Sequence, residues 1–280
     1  MRVYISVDME GIGGVSHPDP TDAKDAKYQA AVSLMIAETN AAIEGALAGG
    51  ATAVLVNDSH GGMFNLIPGE IHRDATLLQG EKAWSMVAGA LPGLDGMATF
   101  DVALFVGYHA RAGHPRGTIA HTYSDEPVET RLNGRPTGEY GLNAIALGAW
   151  GIPVGLVTGD DALAEEVADW LPWAERVVVK VAHGGHAAAS VHPSVAAERV
   201  RAGAERAVHR AAAGELERLH VDSPVVVEID FGRGVVADHA AIVPGAERVG
   251  DRTVRYSADD PIVAYRGFLA MNRLAGAVGG

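Results

Sequence analysis

Three short, almost uninterrupted apolar runs constrain most of what this chain can fold into: Arg2-Val3-Tyr4-Ile5, Val54-Leu55-Val56-Asn57 and Ala103-Leu104-Phe105-Val106-Gly107-Tyr108. A strand with one wet face alternates apolar and polar side chains, whereas a strand covered on both faces reads as a continuous β-branched run. Between the runs lie stretches of helical composition. In Ala23 to Ala48, Leu34, Ile36, Ile43 and Leu47 stand among alanines, and Gly49-Gly50 supplies a stop. Repeated strand–helix–strand order predicts an α/β fold class, a doubly wound and mostly parallel sheet. Sheets of this kind bind ligands outside the carboxyl ends of their strands.

Those ends carry chemistry. The first run leads into Ser6-Val7-Asp8-Met9-Glu10-Gly11, and alternation along an extended chain places Asp8 and Glu10 on one side. Two carboxylates that share a face at the end of a buried strand repel each other and lose hydration, which calls for a positive partner. A divalent metal ion is one answer; a strand end dipping into water, or an Asp capping a helix, is the other. The second run ends in Asp58-Ser59-His60 and the third in His109-Ala110-Arg111. Metal-competent groups on three strand ends along one sheet edge favour the metal. Asn57 and Asp58 are positioned in sequence to orient His60.

Glu139, in Gly138-Glu139-Tyr140-Gly141-Leu142-Asn143, opens a predicted helix, where it either joins the cluster or only caps the helix. With it, the candidates exceed one tetrahedral shell and would serve a pair of ions about 3.5–4 Å apart, with Asp8 as the natural bridge. Asp and His without Cys suit zinc, manganese or cobalt in a working site better than a structural zinc cage. His121, in Thr118-Ile119-Ala120-His121-Thr122, reads equally as an acid–base group or as a hydrogen-bonded surface residue. His114, His183, His186 and His192 lie in Gly- or Pro-rich loops and read as solvated, and Asp160 and Asp161 as helix caps.

Composition removes several rivals. With 22 Lys and Arg against 35 Asp and Glu, the net charge of −13 disfavours nucleic acid and anionic membrane as partners. The absence of cysteine excludes disulfides and thiolates and fits a cytoplasmic protein, as does the lack of a secretory pattern at the start. Ala144 to Val157, the longest apolar stretch, is broken by Gly148, Gly151 and Pro153 and is too short to span a bilayer. Gly11-Ile12-Gly13-Gly14 resembles a dinucleotide loop, yet Ser16 stands at the third small position and Asp8 and Glu10 would face the pyrophosphate.

Further strands are expected over Pro153 to Thr158 and Arg176 to Val181, with helices over Glu81 to Ala90, Glu139 to Trp150 and Ala162 to Leu171. From about Pro193 the pattern changes to a long Ala-, Arg- and Glu-rich helix (Ser194 to Leu219), strands at Pro224 to Phe231 and Thr253 to Ser257, and a final helix from Pro261 to Leu274. A metal-binding α/β domain over 1–190 and a smaller α+β domain over 191–280 follow as the expected division.

Taken in order, Ser6-x-Asp8-x-Glu10-Gly11, Val56-Asn57-Asp58-Ser59-His60, Gly107-Tyr108-His109-Ala110 and Gly138-Glu139-x-Gly141-Leu142-Asn143 resemble the DppA-type D-aminopeptidases, a family of zinc metallopeptidases. The resemblance implies two zinc ions held by Asp8, Glu10, His60, His109 and Glu139 and an essential histidine at His121, whose neighbours Ala120 and Thr122 depart from the family pattern. It also implies a ring-shaped homo-oligomer, a self-compartmentalised decamer, to whose contacts the Met63-Phe64 loop is suited. The expected activity is removal of N-terminal D-amino acids, such as D-Ala, from short peptides. The rivals are an L-specific aminopeptidase, a binuclear hydrolase of another amide or of a phosphate ester, and a peptide-binding protein without turnover.

Overall fold

The computed structural model describes residues 1–90 and 100–278. In chain order the elements are β1 (Arg2–Val7), α1 (Tyr28–Ala48), β2 (Ala53–Asp58), β3 (Ala75–Leu78), β4 (Val102–Val106), β5 (Pro127–Leu132), β6 (Arg135–Pro136), α2 (Glu139–Ala149) and β7 (Val154–Asp160). They continue with α3 (Asp161–Trp170), β8 (Glu175–Gly184), β9 (Ala187–Ser190), α4 (Pro193–Ala212), β10 (Val225–Phe231), α5 (Gly234–Ala240), β11 (Ala246–Arg248), β12 (Thr253–Ala258) and α6 (Pro261–Gly276).

The apolar runs become the inner strands of a seven-stranded sheet ordered β3-β2-β1-β4-β7-β8-β9, parallel except for the edge strand β9. Their continuous hydrophobicity has a direct cause, because both faces are covered. Val3, Ile5 and Val7 of β1, with Val102, Leu104 and Val106 of β4, pack toward α1 and α4. Tyr4, with Ala103 and Phe105, packs the opposite way, toward α2, α3 and α6. Period-two alternation therefore sends Tyr4, Ser6 and Asp8 to the second face. The doubly wound, mostly parallel α/β sheet is as expected.

A second, antiparallel sheet, ordered β11-β12-β10-β5-β6, carries α5 and α6. Two segments cross the expected division at residue 190. β5 and β6 leave the first part of the chain to pair with β10, and α4 lies against α1 on the first sheet.

Local departures have local causes. The helix expected over Glu81 to Ala90 is a single 3-10 turn at Ser85–Val87. Positive φ at Gly80, Ser85 and Gly89 breaks the segment, and the carbonyls of Met86 and Ala88 turn inward to accept the Tyr4 hydroxyl, each at 2.9 Å. The long helix expected from Ser194 to Leu219 stops at Ala212, ahead of Gly214 at φ 72°. No helix among the described residues is long and apolar enough to cross a membrane.

Candidate metal centre

Asp8 and Glu10 follow β1 where the chain passes over the end of β4. Gly11 is required there, since a Cβ would stand 1.8 Å from the Tyr108 carbonyl oxygen. Gly107 is equally constrained: φ is +71° and a Cβ would lie 2.3 Å from the Asp8 carbonyl oxygen. On the other side the fully buried Lys180 of β8 donates from Nζ to the carbonyls of Glu10, Ile12 and Val15. The loop bearing the two acids is thus held from both flanks.

Asp8, Glu10, His60, His109 and Glu139 are all buried and converge. His60 Nδ1 lies 3.2 Å from Asp8 Oδ1 and 3.0 Å from Glu10 Oε2. His109 Nε2 lies 3.4 Å from Asp8 Oδ2 and 3.3 Å from Glu139 Oε1. Ligand atoms about 2.1 Å from a tetrahedral ion are separated by about 3.4 Å, so these spacings match a coordination shell. Donor atoms of Asp8, Glu10 and His109 lie within 4.8 Å of one another, as do those of His109, His121 and Glu139.

The tautomers decide what the nitrogens can do. A carbonyl only accepts, so His60 Nε2–H donates to Thr21 O at 3.0 Å and His109 Nδ1–H donates to Ala110 O at 2.9 Å. In each neutral ring the other nitrogen then carries a lone pair, and both lone pairs aim at carboxylate oxygens. His109 Nε2 is buried without a hydrogen-bond partner. Lone pairs facing anions in a buried site require a cation between them or a proton on the ring. The donor set therefore fits a hard or borderline metal such as zinc, with backbone carbonyls fixing the rings as metal-ligating histidines are usually fixed.

With no cation between these groups, the same electrostatics favour a proton on each ring. Burial alone would lower the pKa of both histidines, but Glu10 and Asp8 push His60 well up, and Glu139 and Asp8 push His109 well up. Burial would raise Asp8, yet His109 and His60 hold it far below the ordinary carboxylate range; Glu139 is likewise lowered, against its burial, by His109 and then His121. Each group stabilises the charge that its neighbour needs.

His121 stacks on His109, with ring centroids 4.0 Å apart and planes 13° from parallel. Its Nδ1–H donates to Ile119 O at 2.9 Å, leaving Nε2 free on the site side, 3.7 Å from Glu139 Oε1. Tyr123 N donates to the same Glu139 oxygen at 2.7 Å. Backbone strain gathers here: Met63, Ser85, Ile119 and Tyr123 all have positive φ, and all lie in or beside the site. Such strain concentrates where surrounding structure over-determines a functional geometry.

Asn57 and Asp58 do not orient the His60 ring. Asp58 accepts from the backbone of Asn65 and Leu66, and Asn57 donates to Ser59 Oγ and Ser85 O, so both shape the following loop. Thr21, from the loop before α1, supplies the partner in their place. Asp160 caps α3 as expected through Leu163 N. His192 caps α4. Sequence reading missed a supporting network. Ser6 Oγ meets Ser59 Oγ and the Tyr108 hydroxyl, each at 2.8 Å, and Asn143 Nδ2 donates to that tyrosine at 3.0 Å. Tyr123 extends it to Tyr265 of α6 at 2.7 Å. The polar Ser6 inside an apolar strand was the available signal.

Fold and cluster together define an α/β metallohydrolase. The family model described as D-aminopeptidase matches residues 1–270, and the chain belongs to that family. It is 36% identical over 277 residues to the D-aminopeptidase of Bacillus subtilis (strain 168), covering 98% of each chain. Among solved structures it is similar to the Zn-dependent D-aminopeptidase DppA from Bacillus subtilis, described as a self-compartmentalizing protease, with a TM-score of 0.91, 34% identity and full coverage of both chains.

Proposed function

We propose that this metallo-aminopeptidase holds two zinc ions and removes N-terminal D-amino acids, D-Ala among them, from short peptides. One ion would be held by Asp8, Glu10 and His60 and the other by Asp8, His109 and Glu139. The observation that carries this is the pair of imidazole lone pairs aimed at opposite oxygens of Asp8. When bound, zinc supplies Lewis acidity toward a peptide carbonyl and brings the acidity of water near neutrality, to a pKa of about 7.

The chain's residues supply the rest. A cavity of about 120 Å³, lined by Asp8, Glu10, Met63, His121 and Tyr123 among others, adjoins the cluster and has room for a small N-terminal residue. The free amine of a substrate would meet a carboxylate or an ion there, which favours cleavage from the end of a chain. His121, with its tautomer fixed through Ile119, presents an accepting Nε2 that can take a proton and return it to the leaving amine. We further infer a cytoplasmic protein and a homo-oligomer, a ring-shaped decamer; the self-compartmentalizing character of the similar structure supports assembly.

The test is metal analysis of the purified protein with an assay on D-Ala-D-Ala and its L,L isomer. Two zinc ions per subunit and cleavage of the D,D isomer are expected. Zinc-loaded protein that cleaves neither isomer, or only the L,L form, overturns the proposal.

A further inference from the structure

We propose that the cavity beyond the metal centre, lined by Lys82, Arg273 and Asn272, binds the C-terminal carboxylate of a short peptide. The proposal rests on the aminopeptidase reading above and adds to it a preference for peptides that end in a free acid.

This cavity, of about 520 Å³, shares Gly61, Met63, Ser85 and Tyr123 with the smaller one at the metal site, so the two adjoin across a common wall. Its polar lining is rich in donors. Lys82 Nζ donates to Asp58 O at 2.9 Å and Gly80 O at 2.8 Å, which fixes the ammonium and leaves one N–H. Arg273, in the last turn of α6, donates one guanidinium N–H to Lys82 O at 2.9 Å and keeps the others. Asn272 accepts Ser124 Oγ through Oδ1 at 2.9 Å, so its Nδ2 donors remain. Among the described residues, neither cation has a carboxylate within ion-pair distance. Glu81, at the exposed rim, is the one acid in the lining.

In a chain of net charge −13, two cations with no carboxylate in direct contact, Lys82 feeling Asp58 only at longer range, leave room for an anion from outside. A cation in the last turn of a helix also complements the helix dipole, which accounts for Arg273 alone. It does not account for Lys82, fixed by two loop carbonyls, or for the Asn272 amide beside them. A dipeptide or tripeptide placed with its first residue at the metals carries its other end toward this cavity. The charged terminus is the anion that every such substrate bears.

The experiment compares kcat/KM for D-Ala-D-Ala and its C-terminal amide with the zinc-loaded protein. A charge-assisted contact of this kind favours the acid by about 10- to 100-fold. Arg273→Met should shrink the acid-to-amide ratio at least several-fold through KM, with zinc content unchanged, and Arg273→Lys should recover part of it. Lys82→Met should shrink the ratio independently. Equal cleavage of acid and amide by the wild type, or a ratio that survives Arg273→Met, overturns the carboxylate site and leaves the aminopeptidase reading intact. Failure to cleave either compound overturns both.

Discussion

Glu139 and His121 stand 3.7 Å apart yet are assigned different work, and substitution separates them. Glu139→Gln preserves shape and the Tyr123 N–H contact but removes the charge facing His109. We expect zinc per subunit to fall from two toward one, and turnover to drop with it. His121→Ala leaves the five assigned ligands in place, so zinc content should stay at two while kcat falls about 10²- to 10⁴-fold, the usual contribution of an acid–base group. Metal analysis beside steady-state kinetics checks both. Zinc loss in His121→Ala would make His121 a ligand, in keeping with its proximity to His109 and Glu139. The family motifs carry Glu139 in sequence, whereas His121 lies outside them, between neighbours that depart from the family pattern. Thr21 was illegible because a carbonyl acceptor leaves no trace in residue type.

At the scale of elements, the loop after β1 is clamped between α1 and β8. Glu38 of α1 accepts Gly13 N at 2.8 Å, and Lys180 of β8 donates to three carbonyls of the same loop. Lys180→Met strips those carbonyls of their donor, each an unmet group worth about 1–3 kcal/mol. Zinc affinity at the Glu10 site and the midpoint of denaturation should both fall, as read by a chelator competition titration and urea unfolding. Glu38 has its own signature, since burial raises its carboxyl to about 7, against the Gly13 hydrogen bond and Lys180. The folded state then binds a proton that the unfolded chain has released, so stability falls as pH rises from about 4.5 to about 7. Glu38→Gln should flatten that part of the stability–pH curve in denaturation series. Sequence legibility divides along the same lines. Strands buried on both faces announced themselves. β5 did not, because its burial alternates and Gly and His surround it, although Asn133-Gly134, both at positive φ, is a hairpin signal in plain view. The edge strands β3 and β9 are short and half-wet, with too little apolar pattern to read.

For the whole molecule, metal and the proposed assembly would be supports outside the single chain. Without metal, protons on His60 and His109 must balance the carboxylates. Their raised pKa values mean that this stabilisation is complete at low pH and is lost as pH rises through the folded-state values. Chelation should therefore lower Tm more at pH 8 than at pH 6; an equal drop at both would contradict the charge balance described here. Assembly turns on the surface. Phe64 is 75% exposed, and Ile67 beside it is 39% exposed, in the loop that runs from the His60 strand end toward β3. An aromatic ring held in water gains by burial, at about 25 cal/mol per Å² of apolar surface covered, and a second copy of this chain is the partner the proposed ring provides. Phe64→Asp, which adds charge to an already acidic chain without touching an assigned metal ligand, should shift the protein from the proposed ring toward smaller species in sedimentation velocity. Zinc content should not change, because Asp58 anchors the loop through Asn65 and Leu66 rather than through Phe64. If Phe64→Asp sediments as the wild type does, the loop lies outside the subunit contacts and its exposure must be explained by contact with substrate.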